Sequence, residues 1–177
     1  MKLRAILRSF TLSAALVFGI AVGCTPPPPP HTSKPVELKA VSVAQLEGEI
    51  ASHKGKVVLI DVWFLGCDPC VKRFPKFVEL HCELASEGLV AISLKVEPKE
   101  EKRKEQVLDF LKQQGADGIN LIVEDDEKTL DDWQMKYDAR ATPSYVIFDR
   151  AGRWVRTPQP EDKENITRIL KKLLSEK

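Results

Sequence analysis

The most regular hydrophobic pattern in the chain lies at residues 57–64, VVLIDVWF, where both alternating sets of positions are apolar. Only Asp61 interrupts the run. A strand that is apolar on both faces is typical of the middle of a sheet that helices cover on each side. We therefore expect Asp61 to be buried, and burial raises the pKa of a carboxyl group because desolvation disfavours the anion.

Two cysteines, Cys67 and Cys70, follow this strand. The pattern predicts that they lie at the start of a helix, where unpaired backbone N–H groups and the positive end of the helix dipole favour a thiolate. This is the geometry of reversible disulfide chemistry. The helix is predicted to run to about residue 86, with Pro75 inside it and Gly88 just beyond its end.

Three other residues of this helix have two interpretations each. Lys72 and Arg73 either raise the electrostatic potential near the thiols or lie on a solvated face. Cys82 is expected to face the core as a small buried residue, and a role as a resolving thiol is the alternative.

The rest of the chain alternates between patterns typical of strands and of helices. The expected strands are 36–43, 89–96, 119–123, 144–148 and 153–156, and the expected helices run from Ser42 to about residue 55, within 97–114, over 127–137 and over 161–176. Ser42 and Gln45 have the spacing of a capping box. Residues 149–152 are expected to form a hairpin turn. This order predicts an α/β sandwich with a mixed sheet.

The first 23 residues have the features of an export signal. Lys2, Arg4 and Arg8 precede an apolar run at 10–22, which is shorter than the ~20 residues of a comfortable membrane span. We expect a signal peptide at 1–23, and an uncleaved N-terminal anchor is the alternative. The ending Ala21-Val22-Gly23-Cys24 resembles the lipobox of bacterial lipoproteins, which implies lipidation of Cys24.

A proline-rich segment follows at 24–35, with an unbroken run from Pro26 to Pro30. Such a run adopts extended polyproline II, so the segment is expected to be a stiff tether that holds the domain (36–177) away from a membrane. A ligand for an aromatic-lined groove is the alternative interpretation.

Composition excludes several classes of function. The 27 basic and 26 acidic residues give a formal net charge of +1 and are interleaved, which argues against nucleic-acid binding. Four cysteines are too few for a disulfide-stapled scaffold of this length. His31, His53 and His81 lack the spacing of a zinc site, so we expect neither a metal nor a cofactor.

Four features together resemble the thioredoxin fold over about 36–177. They are Cys67-Asp68-Pro69-Cys70, Asp61 in the preceding strand, Pro75 in the helix, and Ala141-Thr142-Pro143-Ser144 before the hairpin. The resemblance implies a thioredoxin-like sandwich: a central mixed β-sheet flanked by helices, with an N-terminal extension and an insertion after the second core strand. It also implies a cis Thr142–Pro143 bond that lies against the cysteines and exposes the Thr142 backbone to a substrate strand.

The export signal, the insertion and the Cys-x-Pro-Cys sequence resemble the TlpA/ResA-like branch of that fold. Its members are exported, membrane-attached thiol–disulfide oxidoreductases, and several act as reductants in cytochrome c maturation. The resemblance implies that Cys67, the more exposed thiol, attacks a substrate disulfide, that Cys70 resolves the mixed disulfide, and that Asp61 moves a proton to or from Cys70.

The same resemblance implies the partners and the location of the protein. They are protein substrates with disulfides or thiols, an upstream redox partner, and a membrane held through a lipid anchor on the periplasmic or extracytoplasmic side. Two positions differ in character from common members: Gly66 replaces the usual Trp, and Asp68 puts a negative charge beside the pair, which favours a reductant.

Three alternatives remain from the sequence. A thiol peroxidase of this fold would need a Pro-x-x-x-Thr-x-x-Cys loop, which Phe64-Leu65-Gly66-Cys67 does not supply. A lipid-tethered copper-binding module could use Cys67 and Cys70 as soft ligands. The motif that the resemblance implies for copper-delivering relatives is Cys-x-x-x-Cys with a distant His, and the spacing here is one residue shorter. A redox-inert scaffold would leave both cysteines and Pro143 without a role.

Overall fold

A computed structural model describes residues 35–96, 103–156 and 163–176. The predicted signal peptide and the predicted tether up to residue 34 lie outside the described residues. The strands are β1 (Lys39–Val41), β2 (Val57–Trp63), β3 (Leu89–Lys95), β4 (Ile119–Val123), β5 (Ser144–Phe148) and β6 (Trp154–Val155). The helices are α1 (Val43–Ser52), α2 (Asp68–Leu84), α3 (Arg103–Gln113), α4 (Glu127–Lys136) and α5 (Lys163–Ser175).

The strands form one mixed sheet in the order β1-β4-β3-β2-β5-β6. Strands β1, β4, β3 and β2 are parallel to one another, whereas β5 is antiparallel to β2 and β6 is antiparallel to β5. The expected mixed sheet with flanking helices is thus confirmed. The insertion also lies where it was expected, because α3 connects β3 to β4, and β3 is the second core strand when β2 is counted as the first. Residues 97–102 of this insertion are outside the described residues.

Strand β2 lies inside the sheet, and all seven of its residues are buried. Its odd-numbered apolar residues join a core with α2, α3 and α5, and its even-numbered residues join a second core with α1 and α4. The uninterrupted apolar pattern of the sequence therefore has its expected cause, which is that helices cover both faces of the strand. Asp61 shares its face with Leu59 and Trp63, so it points toward the α2 side.

Helix α2 begins directly after Cys67, its N-cap residue, and contains Pro75. A short 3-10 turn, Ala85–Glu87, continues it to Gly88, whose φ of 106° is one that residues with a Cβ rarely adopt. The end predicted from Gly88 is confirmed. The capping box of α1 is also confirmed, because Ser42 Oγ accepts from Gln45 N at 3.1 Å and Gln45 Oε1 accepts from Ser42 N at 2.9 Å.

Two strand predictions were too long, and one side chain was misplaced. Strand β1 covers only Lys39–Val41, because Val36 and Leu38 pack against the core without pairing in the sheet. Strand β6 is reduced to Trp154–Val155. The prediction that Cys82 faces the core is wrong: the thiol is exposed, since Leu80 and Leu84 take the buried positions on that part of α2.

None of the helices in the described part of the chain has both the length and the apolar character that crossing a membrane requires.

Candidate active site

Cys67 and Cys70 form a disulfide at the first turn of α2. Their sulfurs are 2.00 Å apart and their Cα atoms 5.2 Å apart. Strand β2 and a loop of three residues, 64–66, lead directly into this turn, so the central strand fixes where the pair lies. Cys67 is 6% exposed and Cys70 is fully buried, which agrees with the expectation that Cys67 is the more accessible of the two.

The backbone at the first turn of α2 offers a donor to the Cys67 sulfur. Cys70 N donates to Cys67 Sγ at 3.2 Å, in the way that a capping side chain accepts from the helix. An anion at this position gains from that N–H group and from the positive end of the helix dipole. The arrangement therefore stabilises a Cys67 thiolate when the disulfide is reduced.

Asp61 lies on the face of β2 that α2 covers, and it is fully buried. Arg73 of α2, which is itself buried, donates from Nη2 to Asp61 Oδ1. Neither interpretation of Arg73 from the sequence described this contact, because the residue lies neither on a solvated face nor free beside the thiols. Lys72, in contrast, is exposed, as the solvated-face interpretation predicted.

The pKa of Asp61 is raised from its ordinary value of 3.8 to about 6. Desolvation by burial is the larger cause, and the charge and hydrogen bond of Arg73 oppose it by favouring the anion. The expected direction of the shift is thus confirmed. A carboxyl group with this pKa exchanges a proton close to neutral pH, which general acid–base chemistry requires.

The loop before β5 brings a third component to the site. The Thr142–Pro143 peptide bond is cis, as the resemblance implied. Ser144 is paired with Val62 and Tyr145 with Asp61, so this loop meets the end of β2 from which the cysteines follow. Arg73 Nη2 also lies 3.4 Å from the carbonyl oxygen of Ser144, which connects the loop to the ion pair.

A groove of about 580 Å³ opens beside the loop that carries Thr142. Thr142 and ten other residues line it. Four of these ten are apolar: Phe64, Val96, Val123 and Leu130. The other six are polar or charged: Asp125, Asp126, Glu127, Asp131, Gln134 and Arg140. Two of the acids have local roles, because Asp126 caps α4 and Asp125 accepts from Val43 N at the start of α1. Glu127, Asp131 and Arg140 remain as the charges available to a ligand.

The environment of Gly66 is partly filled by a neighbouring ring. A Cβ placed on Gly66 would lie 3.5 Å from the ring of Phe64, which is an ordinary contact distance. Phe64 therefore supplies an aromatic surface beside Gly66, the position where the resemblance had implied Trp. The hydrophobic pattern had assigned Phe64 only to the strand.

Several contributing residues were missed from the sequence. The ion pair of Arg73 could have been suspected, because Arg73 follows Cys70 by three positions and so shares its side of the helix. The stacking of the Arg73 guanidinium on Tyr145, with 3.9 Å from Cζ to the ring centroid, had no such signal. Lys95 is also buried on this face of the sheet, and no signal in the sequence indicated its burial.

Within residues 35–96, 103–156 and 163–176, no group of three or more His, Cys, Asp or Glu side chains is placed to hold a metal ion.

Comparisons with known proteins agree with this geometry. No family profile matches the chain. The chain is similar to the thiol–disulfide oxidoreductase ResA of Bacillus subtilis (strain 168), with 26% identity over 108 residues, which are 61% of this chain and 55% of ResA. It thus spans about half the length of this curated relative.

Two solved structures illustrate the shared fold. The thioredoxin domain of a thiol–disulfide oxidoreductase from Bacteroides vulgatus matches with a TM-score of 0.57 and 19% identity, over 71% of this chain and 84% of that one. The exposed lipoprotein thioredoxin Etrx1 of Streptococcus pneumoniae strain TIGR4 matches with a TM-score of 0.55 and 21% identity, over 70% and 90%. The chain has the thioredoxin fold.

The pKa of Asp61 predicts a dependence of stability on pH. Since it is about 6 in the folded protein against an ordinary 3.8, the folded state binds this proton more tightly. That contribution to stability is fully present below the unfolded value and is lost as the pH rises through about 6. The wild type should therefore lose about 3 kcal/mol relative to Asp61→Asn between about pH 3.5 and about pH 7.5.

Urea unfolding of the two oxidised proteins over this range measures the difference. Every other titrating group is common to both proteins, so the difference between their stabilities isolates the contribution of Asp61. A difference that does not change with pH would show that Asp61 keeps an ordinary pKa in the fold.

Proposed function

We propose that this thioredoxin-fold relative of ResA is an exported, lipid-anchored thiol–disulfide oxidoreductase that exchanges the Cys67–Cys70 disulfide with protein substrates. The observation that carries the proposal is the disulfide at the start of α2, in a fold that also has the buried Asp61 on the preceding strand and a cis Thr142–Pro143 bond. Together these supply a nucleophile, a resolving thiol and a group that exchanges a proton near neutral pH. The similarity to ResA supports this chemistry.

The reaction consists of two exchanges. The Cys67 thiolate attacks a substrate disulfide, which forms a mixed disulfide and releases one substrate thiol. Cys70 then gives its proton to Asp61 and attacks Cys67, which forms the Cys67–Cys70 disulfide and releases the second thiol. Two electrons pass from the cysteine pair to the substrate, and an upstream redox partner with thiols reverses the change.

The groove beside Thr142 supports a protein segment as the substrate. Apolar side chains line part of the groove, and Glu127, Asp131 and Arg140 also line it. In the family that the chain resembles, the backbone of the residue before the cis proline pairs with an extended substrate strand, and here that residue is Thr142. A strand held in this way would bring its cysteine to the accessible side of the pair, where Cys67 lies.

The local charges support a reductant. Asp68 is exposed in the first turn of α2, and Asp61 is the buried acid of the strand that leads into that turn. Negative charges close to the pair oppose the stabilisation that the start of α2 gives to the Cys67 thiolate, and a pair whose thiolate is less stabilised is a weaker oxidant. Several members of the TlpA/ResA-like branch act as reductants in cytochrome c maturation, and a role of that kind fits these charges.

Export and anchoring rest on the sequence of the first 35 residues. The charged start, the apolar run, and Cys24 after Gly23 match a lipoprotein signal, and the proline run would space the domain from the membrane. Etrx1, which shares the fold, is described as an exposed lipoprotein, and this supports an extracytoplasmic location.

Substitution of the cysteines should separate the two exchanges. Cys67→Ser removes the nucleophile, so insulin disulfide reduction should fall to the uncatalysed rate. Cys70→Ser should retain the first exchange and accumulate a mixed disulfide, which non-reducing gels and mass spectrometry detect. Cys82→Ser is the control, since this exposed thiol lies outside the site and its replacement should leave the rate unchanged. Full activity of Cys67→Ser would remove the mechanism.

Replacement of Cys24 should release the protein from the membrane. The wild type, expressed in a bacterial host with a lipoprotein pathway, is expected to incorporate labelled palmitate and to fractionate with membranes. Cys24→Ser should incorporate no label, and Cys82→Ser should label like the wild type. An unlabelled wild type that still fractionates with membranes would instead indicate an uncleaved N-terminal anchor.

A further inference from the structure

Arg73 occupies a position where a cation is costly. The residue is 8% exposed, and α2 places it on the same side as Cys70, which lies one turn earlier. Its guanidinium donates to Asp61, lies 3.4 Å from the Ser144 carbonyl oxygen and stacks on Tyr145. Among the described residues, no hydrogen-bond acceptor meets its Nε and Nη1 atoms.

Packing alone does not explain this residue. A buried guanidinium loses its hydration, and replacement of a whole buried ion pair by apolar side chains of similar volume is often neutral for stability. The groups that hold Arg73 are the carboxylate of Asp61 on β2 and the ring of Tyr145 on β5, which are paired with each other in the sheet. The contact is therefore directed at Asp61.

The second oxygen of that carboxylate is free to accept a proton. Within the described residues, nothing donates to Asp61 Oδ2, and the atom is buried. A buried carboxyl group without a cation takes up a proton and remains neutral, because desolvation disfavours its anion. A neutral carboxyl group cannot accept the proton of a neighbouring thiol.

Other groups of the described residues lie on the same side of the sheet as Asp61. They are Cys67 and Cys70 of α2, Tyr145 of β5, and Lys95 of β3, two residues beyond Ser93. Helices α3 and α5 contribute apolar side chains to this core, among them Val107, Leu111, Ile166 and Leu170. Arg73 forms an ion pair with the carboxylate, and its charge and hydrogen bond are the effects that favour the Asp61 anion.

We propose that Arg73 is a positioning residue that keeps Asp61 as the carboxylate that removes the proton of Cys70. This rests on the proposed function. In the resolving step the S–H bond of Cys70 breaks and its proton passes to Asp61. The Cys70 thiolate then forms a bond to Cys67 Sγ, and the bond between Cys67 and the substrate sulfur breaks with its electron pair on the departing thiolate. The loss of that proton to solvent restores the Asp61–Arg73 pair.

The reagent 5,5′-dithiobis(2-nitrobenzoate) reports both exchanges by stopped-flow absorbance. The reduced full-length chain carrying Cys24→Ser and Cys82→Ser should release one thionitrobenzoate when Cys67 attacks and a second when Cys70 resolves. The rate constant of the second release is measured as a function of pH. In this background we expect it to rise with a midpoint near the Asp61 pKa of about 6.

Arg73→Met should move this midpoint upward by about one to three pH units, because an adjacent cation lowers a carboxyl pKa by that amount. The second release should then slow at least about fivefold at about pH 6, while the first release keeps its rate. Arg73→Lys, which retains a cation, should return the midpoint toward the wild-type value. Lys72→Met removes the same charge from the exposed neighbouring position and should leave the profile unchanged.

A double variant tests whether Arg73 acts through Asp61. Adding Arg73→Met to Asp61→Asn should cause no further change in the pH profile of the second release. Circular dichroism and the rate of the first release establish that each variant is folded, and Arg73→Gln carries the same comparison where Arg73→Met does not fold.

An unshifted profile in Arg73→Met, or an equal slowing in the presence and absence of Asp61→Asn, would overturn the proposal for Arg73 and leave the proposed function intact. The absence of both releases from the background chain would instead contradict the proposed function itself.

Discussion

The central position of β2 determines where the chemistry of this protein takes place. Both faces of the strand are buried, so its register is fixed by two cores at once, and a shift by one residue would exchange every side chain between them. The strand ends at Trp63, where the Nε1 atom donates to Ser93 Oγ at 2.8 Å. Cys67 and Cys70 follow after a short loop, so the position of the strand constrains the position of the pair.

Because the site is buried, the charge of Asp61 depends mainly on the side chains that contact it. Asp61 is fully buried, so its charge is set by two opposing effects: desolvation favours the protonated form, and Arg73 favours the anion. Arg73 in turn contacts Ser144 and Tyr145, which directly follow the cis Thr142–Pro143 bond. One ion pair therefore joins the cysteine helix, the central strand and the loop on which a substrate segment is proposed to lie.

Much of the fold could be predicted from the sequence, because its strongest signals are local. The run at 57–64, the capping box of Ser42 and Gln45, and the turn at Gly88 each specify one element through its own residues. Strand β1 was predicted too long because its length depends on pairing with β4, which is remote in sequence. Cys82 was misplaced because helical spacing alone does not decide which of two adjacent stripes meets the sheet.

The residues of the site also differ in how far the sequence could identify them. The cysteine pair, Asp61 and the loop at Thr142–Pro143 were recognisable because each has a spacing that the resemblance supplies. Arg73 was not identified, since its spacing from Cys70 gives only its side of the helix, its role depends on Asp61 being close in space, and a basic residue on a helix is usually solvated. The most direct test of the account is the reduction potential of the Cys67–Cys70 pair, from equilibration with glutathione or dithiothreitol buffers. We expect a value nearer to the roughly −270 mV of thioredoxin than to the roughly −120 mV of strongly oxidising members of the fold, and a value near the latter would contradict a reductant.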